Sequence, residues 1–339
     1  MPSPSGRRTV SFVSPRSLAF ATTRSPRNAP GARVSPRRPR SSRATPGAPA
    51  RLRVAGVTIS HPGKVWWPDE GITKLDVVRF YADVAPRLRP WLMERPLVAE
   101  RCPDGMRGEC FFQKNFPKGQ PPDVPTTAIT AASTGRTVHY VVGGSTKTLL
   151  ALVNLGGIAV HVMNSRRRAL QRPDWLAFDL DPGSGAFADA ARAGRLLREV
   201  LDDLRVRSYP KTSGGRGLHV LVPLRPGPTQ DEVRAVAQEV GRVLAERAPG
   251  LVTTEMSLAK RRGRVFADAL RNAFGQTIVT PYSVRRRPRA PVSTPLAWDE
   301  VEATLDPAQY NLRTLDRRLA GADPWADFWA RRQPLPEVA

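Results

Sequence analysis

The sequence predicts an α+β fold, and three observations carry that expectation. The run Trp175-Leu176-Ala177-Phe178-Asp179-Leu180-Asp181-Pro182-Gly183 has the character of a buried strand that ends in two carboxylates and a turn. Behind it, Phe187, Ala190, Ala191, Leu197, Val200, Leu201 and Leu204 recur at helical spacing, so strand, turn and amphipathic helix follow one another. Third, the glycine-rich stretch Ser213-Gly214-Gly215-Arg216-Gly217 is followed by strand-like Leu218-His219-Val220-Leu221-Val222, whereas a dinucleotide-binding unit would place a helix there.

Composition sets the bounds. The 339 residues are 40% hydrophobic, enough for one large or two ordinary cores. Lys and Arg number 53 against 30 Asp and Glu, and the formal charge of +23 favours a polyanionic partner, nucleic acid before membrane. Apolar stretches are strand-sized, well short of the roughly 20 residues that cross a bilayer, which predicts a soluble protein. Residues 1–50 contain ten Arg, no acid and nine of the 34 prolines. They lack the apolar density to offset the entropy of ordering and are expected to be a disordered basic tail. That tail is a phosphate-holding arm, a transit-like leader, or sequence upstream of a misplaced start. Cys102 and Cys110 match no zinc spacing and are expected as reduced thiols of a cytoplasmic protein, although a hairpin could bring them together.

Folding is expected over residues 51–335, opened by the strand residues Leu52, Val54, Val57 and Ile59. After Gly71, Thr73 can cap a helix whose apolar face includes Val77, Val78, Tyr81 and Val84 and which Pro86 should close. Lys64 and Lys74 flank that helix start, as ordinary surface lysines or as a phosphate site at a helix N-terminus. Phe111-Phe112-Gln113-Lys114-Asn115 follows a Pro103-Asp104-Gly105 turn. Adjacent strand residues face opposite ways, so at least one phenylalanine is expected to be poorly buried and able to stack on a base, core packing of both being the alternative. Leu149 to Met163 has the pattern of helix followed by strand, with His161 either a hydrogen-bonded structural residue or a ligand.

Asp179 and Asp181 share one strand face while Phe178 and Leu180 take the other. Unpaired, the two carboxylates repel; a hard cation such as Mg²⁺ or Mn²⁺ removes that penalty, and a solvated strand end is the bland alternative. Val206 to Tyr209 is a second strand leading to the glycine loop, which is a phosphate cradle with Ser213 and His219 as donors, or a tight hairpin. Thr229-Gln230-Asp231-Glu232 is a capping box opening a helix with Val233, Val236, Ala237, Val240 and Leu244 on one side. Asp268, after an arginine cluster, stands at another strand end and either completes a metal site or caps a turn.

In order and spacing, Phe111-Phe112-Gln113-Lys114-Asn115, Asp179-Leu180-Asp181-Pro182, Ser213-Gly214-Gly215-Arg216-Gly217-Leu218-His219, Asp268 and Thr280-Pro281-Tyr282-Ser283-Val284-Arg285 resemble one family. It is the polymerase domain of bacterial ATP-dependent DNA ligase D, in the archaeo-eukaryotic primase superfamily, and the resemblance runs from about Val57 to Trp329. The resemblance implies a primase-like fold, with mixed and antiparallel sheets flanked by helices in two packed lobes around one catalytic cleft. It implies a template-dependent nucleotidyltransferase that fills gaps and extends ends at double-strand breaks in non-homologous end joining. By that match Asp179, Asp181 and Asp268 are catalytic and hold two divalent ions, Mn²⁺ or Mg²⁺. His161, Ser213, Gly214, Gly215, Gly217, His219 and Arg285 match contacts to the NTP or dNTP. Lys64 and Lys74 match the readers of a DNA 5′-phosphate, and Phe111 and Phe112 the aromatic pair that stacks on template bases. Implied partners are DNA ends and gapped DNA, a Ku-like end-binding protein and a separate ATP-dependent ligase, at the nucleoid in the cytoplasm, with no membrane. No Lys-x-Asp-Gly motif occurs and there are only four histidines, so neither ligase nor phosphoesterase module is expected beside the polymerase. An end-binding module with a decayed site would have lost an acid, and a metal-dependent nuclease would have no use for a triphosphate loop; all three acids are present.

Overall fold

The computed structural model describes residues 52–116, 124–131, 134–183 and 185–338; the expected tail, residues 1–50, lies outside them. In chain order the elements are β1 (Arg53–Val54), β2 (Val57–Thr58), β3 (Val65–Trp67), β4 (Ile72–Thr73), α1 (Lys74–Leu92), β5 (Pro96–Arg101), β6 (Phe111–Gln113), β7 (Thr126–Thr130), β8 (Thr137–Val142), α2 (Thr146–Asn154) and β9 (Gly157–Val162). Then come β10 (Trp175–Pro182), α3 (Phe187–Asp203), β11 (Tyr209–Thr212), β12 (Leu218–Pro223), α4 (Gln230–Arg247), β13 (Val252–Thr253), α5 (Leu258–Arg261), β14 (Val265–Asp268) and β15 (Ile278–Val279).

Local chemistry starts the long helices at the positions the sequence predicts. The Thr73 hydroxyl accepts from the Asp76 N–H, and the Asp76 carboxylate accepts from the Thr73 N–H. Thr229 and Glu232 repeat this reciprocal cap at α4. Pro86, however, does not end α1; the helix passes through it and Pro90 to Leu92. An interior proline costs roughly 3 kcal/mol, while burying each of Leu88, Trp91 and Leu92 contributes roughly 1.5–3 kcal/mol, so packing outweighs the breaker.

Two sheets result. The first runs β15-β9-β5-β8-β7 with β6 beside β5, all pairs antiparallel. The second runs β11-β12-β10-β14-β13, antiparallel except for β13 along β14. An α+β architecture of antiparallel sheets is thus borne out. Leu176, Phe178 and Leu180 bury one face of β10 among residues of α3, α4 and β12. Trp175 and Ala177, on the other face, join the core built by α1, α2 and the first sheet, together with Trp91, Trp325 and Phe328. Asp179 and Asp181 continue that second face where the shared core gives way to a cleft. Tyr81 crosses this shared core, donating to the Ile158 carbonyl at 2.6 Å and accepting from the Val284 N–H at 3.0 Å.

Two further expectations are corrected. The second strand begins at Tyr209 instead of Val206, because Arg205 adopts a left-handed conformation (φ 55°) and Val206 is drawn into the core under α3. Cys102 and Cys110 are joined as a disulfide: β5 and β6 pair Arg101 with Phe111, and the residues just beyond that pair face each other with Cα atoms 4.4 Å apart. No helix among the described residues is long and apolar enough to cross a membrane.

Candidate active site

Strand register assembles the site. Lys211 on β11 stands opposite His219 on β12, His219 opposite Asp179 on β10, and Asp179 opposite Asp268 on β14. Directly opposed residues of neighbouring strands share a face, and Asp181, two residues along β10, shares it as well. Asp268, far along the chain from Asp179 and Asp181, therefore joins them on one surface.

Asp179 is buried, and its Oδ2 accepts from Arg271 Nε at 3.0 Å. The same Nε lies 3.4 Å from Asp268 Oδ2, so one guanidinium serves two carboxylates. His219 Nε2 sits 3.2 Å from Asp179 Oδ1 but off the line of a hydrogen bond, which leaves that buried oxygen without one. Asp268 Oδ1 accepts from the Leu270 N–H at 2.8 Å and starts a short turn ending at Asn272. Asn272 locks that turn onto β10 by donating to the Ala177 carbonyl and accepting from the Ala177 N–H.

Charge separates the roles of these groups. Burial would raise Asp179, but His219 and Arg271 outweigh it and hold its carboxyl well below the usual range. Asp181, at the open end of β10, is pushed up to about 6 by desolvation and then by Asp179. Asp268 is raised by burial against the pull of Arg271. Burial, with Lys211 second, lowers His219 to about 4, and burial with Arg285 second holds His161 well below its ordinary value, so both imidazoles are neutral at pH 7.

A cavity of about 780 Å³ opens over Asp179 and Asp181, while Asp268 lines a separate pocket beside it. The second sheet supplies Asp179, Asp181 and His219 to the cavity, and the first supplies Val98, Phe112 and His161. His161 is buried on β9 with Nε2 unpaired, and Phe112 meets its ring in a T-shaped contact at 5.3 Å between centroids. Arg285 reaches in from the segment after β15, donating through Nη1 to the Ser213 carbonyl at 2.8 Å, while its buried Nε has no partner.

The glycine loop departs from the simple picture of amides aimed at an anion. Gly215 and Gly217 direct their N–H groups onto Ser213 Oγ at 3.2 and 3.1 Å, so the hydroxyl organises the loop. Two glycines are demanded by space. Gly214 has φ +69°, and a Cβ there would stand 2.5 Å from Arg285 Cγ; one on Gly217 would stand 2.8 Å from the Leu180 carbonyl. The loop thus lies tight against both β10 and Arg285.

Lys64 and Lys74 come together as expected, with the Lys74 N–H donating to the Lys64 carbonyl at 2.8 Å. Lys74 Nζ is buried and donates to the Ser60 carbonyl at 2.6 Å and hydroxyl at 2.9 Å; burial and then Lys64 lower it to about 8. Lys64 Nζ donates to Asp104 of the Cys102–Cys110 turn. Phe111 and Phe112 are both exposed, at 44% and 57%, beyond the one that strand alternation requires.

Sequence patterns alone do not mark Arg271 or Lys211. Arg271 follows Asp268 by three residues, a spacing that becomes meaningful only with the turn that Asn272 fixes, and Lys211 looks like a loop lysine until β11 buries it.

Carboxylate oxygens are the donor type that a hard divalent cation takes. Among the described residues no three carboxylate, imidazole or thiol groups lie close enough together to cage an ion. Yet three carboxylates share a face, Asp181 opens to the cleft, and Asp179 Oδ1 is a buried oxygen with no hydrogen bond.

The family described as LigD, primase-polymerase domain, matches residues 73–325. The chain is 36% identical over 300 residues to the multifunctional non-homologous end joining protein LigD of Pseudomonas aeruginosa, covering 87% of this chain and 36% of that protein. It is 34% identical over 267 residues to the bifunctional non-homologous end joining protein LigD of Bacillus subtilis, covering 78% of this chain and 43% of that one. It therefore spans well under half of the length of these relatives. Among solved structures, the polymerase domain from Mycobacterium tuberculosis ligase D in complex with DNA superimposes with a TM-score of 0.75 at 29% identity, covering 82% of this chain and 99% of that one.

Proposed function

The chain belongs to the LigD primase-polymerase domain family, and from that premise we propose that it is a template-dependent nucleotidyltransferase that fills gaps and extends ends at DNA double-strand breaks. One observation carries the reading: Asp179, Asp181, two neutral imidazoles, Ser213 and Arg285 converge on a single cavity reached from both sheets, and Asp268 stands opposite Asp179 on the neighbouring strand.

Asp179, Asp181 and Asp268 would hold two divalent ions, Mn²⁺ or Mg²⁺, which when bound activate a primer 3′-hydroxyl and offset the charge of the triphosphate. Asp179 is ready as a ligand because His219 and Arg271 already keep it ionised. Asp181, pushed up to about 6, is the acid whose ionised form a cation would stabilise most. Ser213, held by the Gly215 and Gly217 amides, has its own hydroxyl hydrogen to offer a phosphate oxygen. Arg285 contributes its unpartnered Nε–H, and neutral His161 and His219 bind as fixed dipoles that need no reorganisation as charge develops. Gly214, Gly215 and Gly217 let the chain approach the triphosphate closely. Lys64 and Lys74 read the 5′-phosphate beyond a gap, and Phe111 and Phe112 stack on template bases. Gapped duplexes and double-stranded ends are the substrates in this reading. A Ku-like protein and a separate ATP-dependent ligase are partners, and the nucleoid in the cytoplasm is the place of action, as the +23 charge supports.

The test is primer extension on a 5′-phosphorylated gapped duplex with labelled ribo- and deoxyribonucleotides, each with Mn²⁺ and Mg²⁺. Asp181→Asn and Asp268→Asn should retain DNA binding and lose extension. If wild-type protein adds no templated nucleotide with either metal, the proposal fails.

A further inference from the structure

Lys211 is the one lysine of the second sheet buried to 0% exposure, and it lies one residue position from the catalytic row. Its Nζ is 2.8 Å from His219 Nδ1 and 2.6 Å from Ser293 Oγ. The Ser293 hydroxyl donates its hydrogen to the Thr212 carbonyl at 2.8 Å, so toward Lys211 it can only accept. The other side of the imidazole settles its tautomer. Nε2 lies 3.2 Å from Asp179 Oδ1, close enough for the carboxylate to repel a bare nitrogen lone pair even off the hydrogen-bond line, which favours the tautomer with the hydrogen on Nε2. Nδ1 is then bare and accepts from Lys211.

We propose that Lys211 is a positioning residue for nucleotidyl transfer, fixing His219 as its Nε2–H tautomer with that N–H on the side of the cleft, beside Asp179. The proposal rests on the polymerase reading for what His219 does, but not for how it is held. A merely structural lysine would be a poor choice here. Burying an ammonium group costs more than burying an apolar side chain of the same length, and a methionine would fill the slot between β11, β12 and Ser293 without that cost. The chain keeps a lysine where it meets a histidine that itself touches an acid, the arrangement in which a third group orients a working imidazole. Sequence separation hides this line, because Lys211 and His219 are brought together only by the β11–β12 register, and Ser293 by the bridge between Lys211 and Pro295.

The experiment uses the full chain. With four histidines in the sequence, ¹⁵N-histidine labelling and two-bond correlation spectra report each tautomer, His219 being assigned with a His219→Gln variant. Wild-type His219 is expected as Nε2–H near pH 7.5. Lys211→Met should let the Nδ1–H form appear and lower kcat/KM for the incoming nucleotide by about 10- to 100-fold. KM for gapped DNA should be unchanged and the melting temperature no lower than wild type. Lys211→Gln, which keeps a donor, should restore part of both the tautomer and the activity. A wild-type His219 protonated at Nδ1 overturns the proposal without any variant. So does a Lys211→Met protein in which His219 stays Nε2–H and extension stays within twofold of wild type. Should wild-type protein not extend primers at all, the polymerase reading fails, while the tautomer spectra still decide whether Lys211 sets His219.

Discussion

Arg271 Nε lies 3.0 Å from Asp179 Oδ2, and because it is also 3.4 Å from Asp268 Oδ2 it is the positive charge the structure supplies to two of the three acids. Removing it should leave both carboxylates uncompensated in a poorly solvated place. Arg271→Gln is expected to lower stability by about 1–3 kcal/mol, less than for a fully buried pair because the guanidinium is partly exposed. Added Mn²⁺ or Mg²⁺ should then raise the melting temperature of the variant by more than it raises that of wild type. Equal metal-induced shifts in the two proteins would separate Arg271 from the metal site.

The 5′-phosphate contact should depend on pH through Lys74. Burial has lowered this lysine to about 8, so it is charged below that value and loses its proton as pH rises through it. A bound phosphate favours the charged form, so binding must take up a proton near pH 8. Affinity for a phosphorylated gap should fall between about pH 7 and 9, while affinity for the unphosphorylated gap stays level. In Lys74→Met both curves should be flat. Fluorescence anisotropy across that range checks both, and a phosphate preference that holds unchanged to pH 9 contradicts the assignment.

Phe112 is more than half exposed and meets His161 in a T-shaped contact, so little of the fold rests on it. Phe112→Ala should change folding stability by less than about 1 kcal/mol and weaken binding to template strand by about 1–3 kcal/mol. Denaturant melts and template-strand titrations separate the outcomes. A large stability loss with unchanged binding would make Phe112 a packing residue.

The arginine-rich residues 1–50 should add affinity for DNA without specificity. Deleting them should leave extension at saturating DNA intact and flatten the slope of log affinity against log salt by about 0.9 for each phosphate that the tail had neutralised. An unchanged slope and affinity would favour a leader or a misplaced start. Loss of extension at saturating DNA would place residues before Arg51 in the catalytic unit.

Much of the site is legible in the sequence because its signals are local. Thr73 and Thr229 announce their helices within four residues, and the strand period alone puts Asp179 and Asp181 on one face. What escapes depends on pairing. Asp268 joins Asp179 only through the β10–β14 register, and the value of Arg271 and Lys211 appears only once the turn at Asn272 and the strand β11 exist. Pro86 misleads for a related reason: a helix breaker is a local penalty, and the burial of Leu88, Trp91 and Leu92 that overrides it is tertiary. Cys102 and Cys110, too, meet because β5 and β6 pair, which no spacing rule foretells.

Tyr81 ties together three pieces of chain whose proposed duties differ. It belongs to α1, whose first residue is Lys74; it bonds to Ile158 of β9, which carries His161; and it holds Val284, next to Arg285. Lys74 and Tyr81 are two turns apart on one helix, a distance of about 10 Å that the helix makes incompressible. The anchor for a downstream phosphate and the seat of an incoming nucleotide are thus mounted on a single frame, like the two jaws of a fixed caliper. On the proposed roles, the number of bases that fits between the jaws is a property of the protein, and longer gaps can be served only by letting go of the far end.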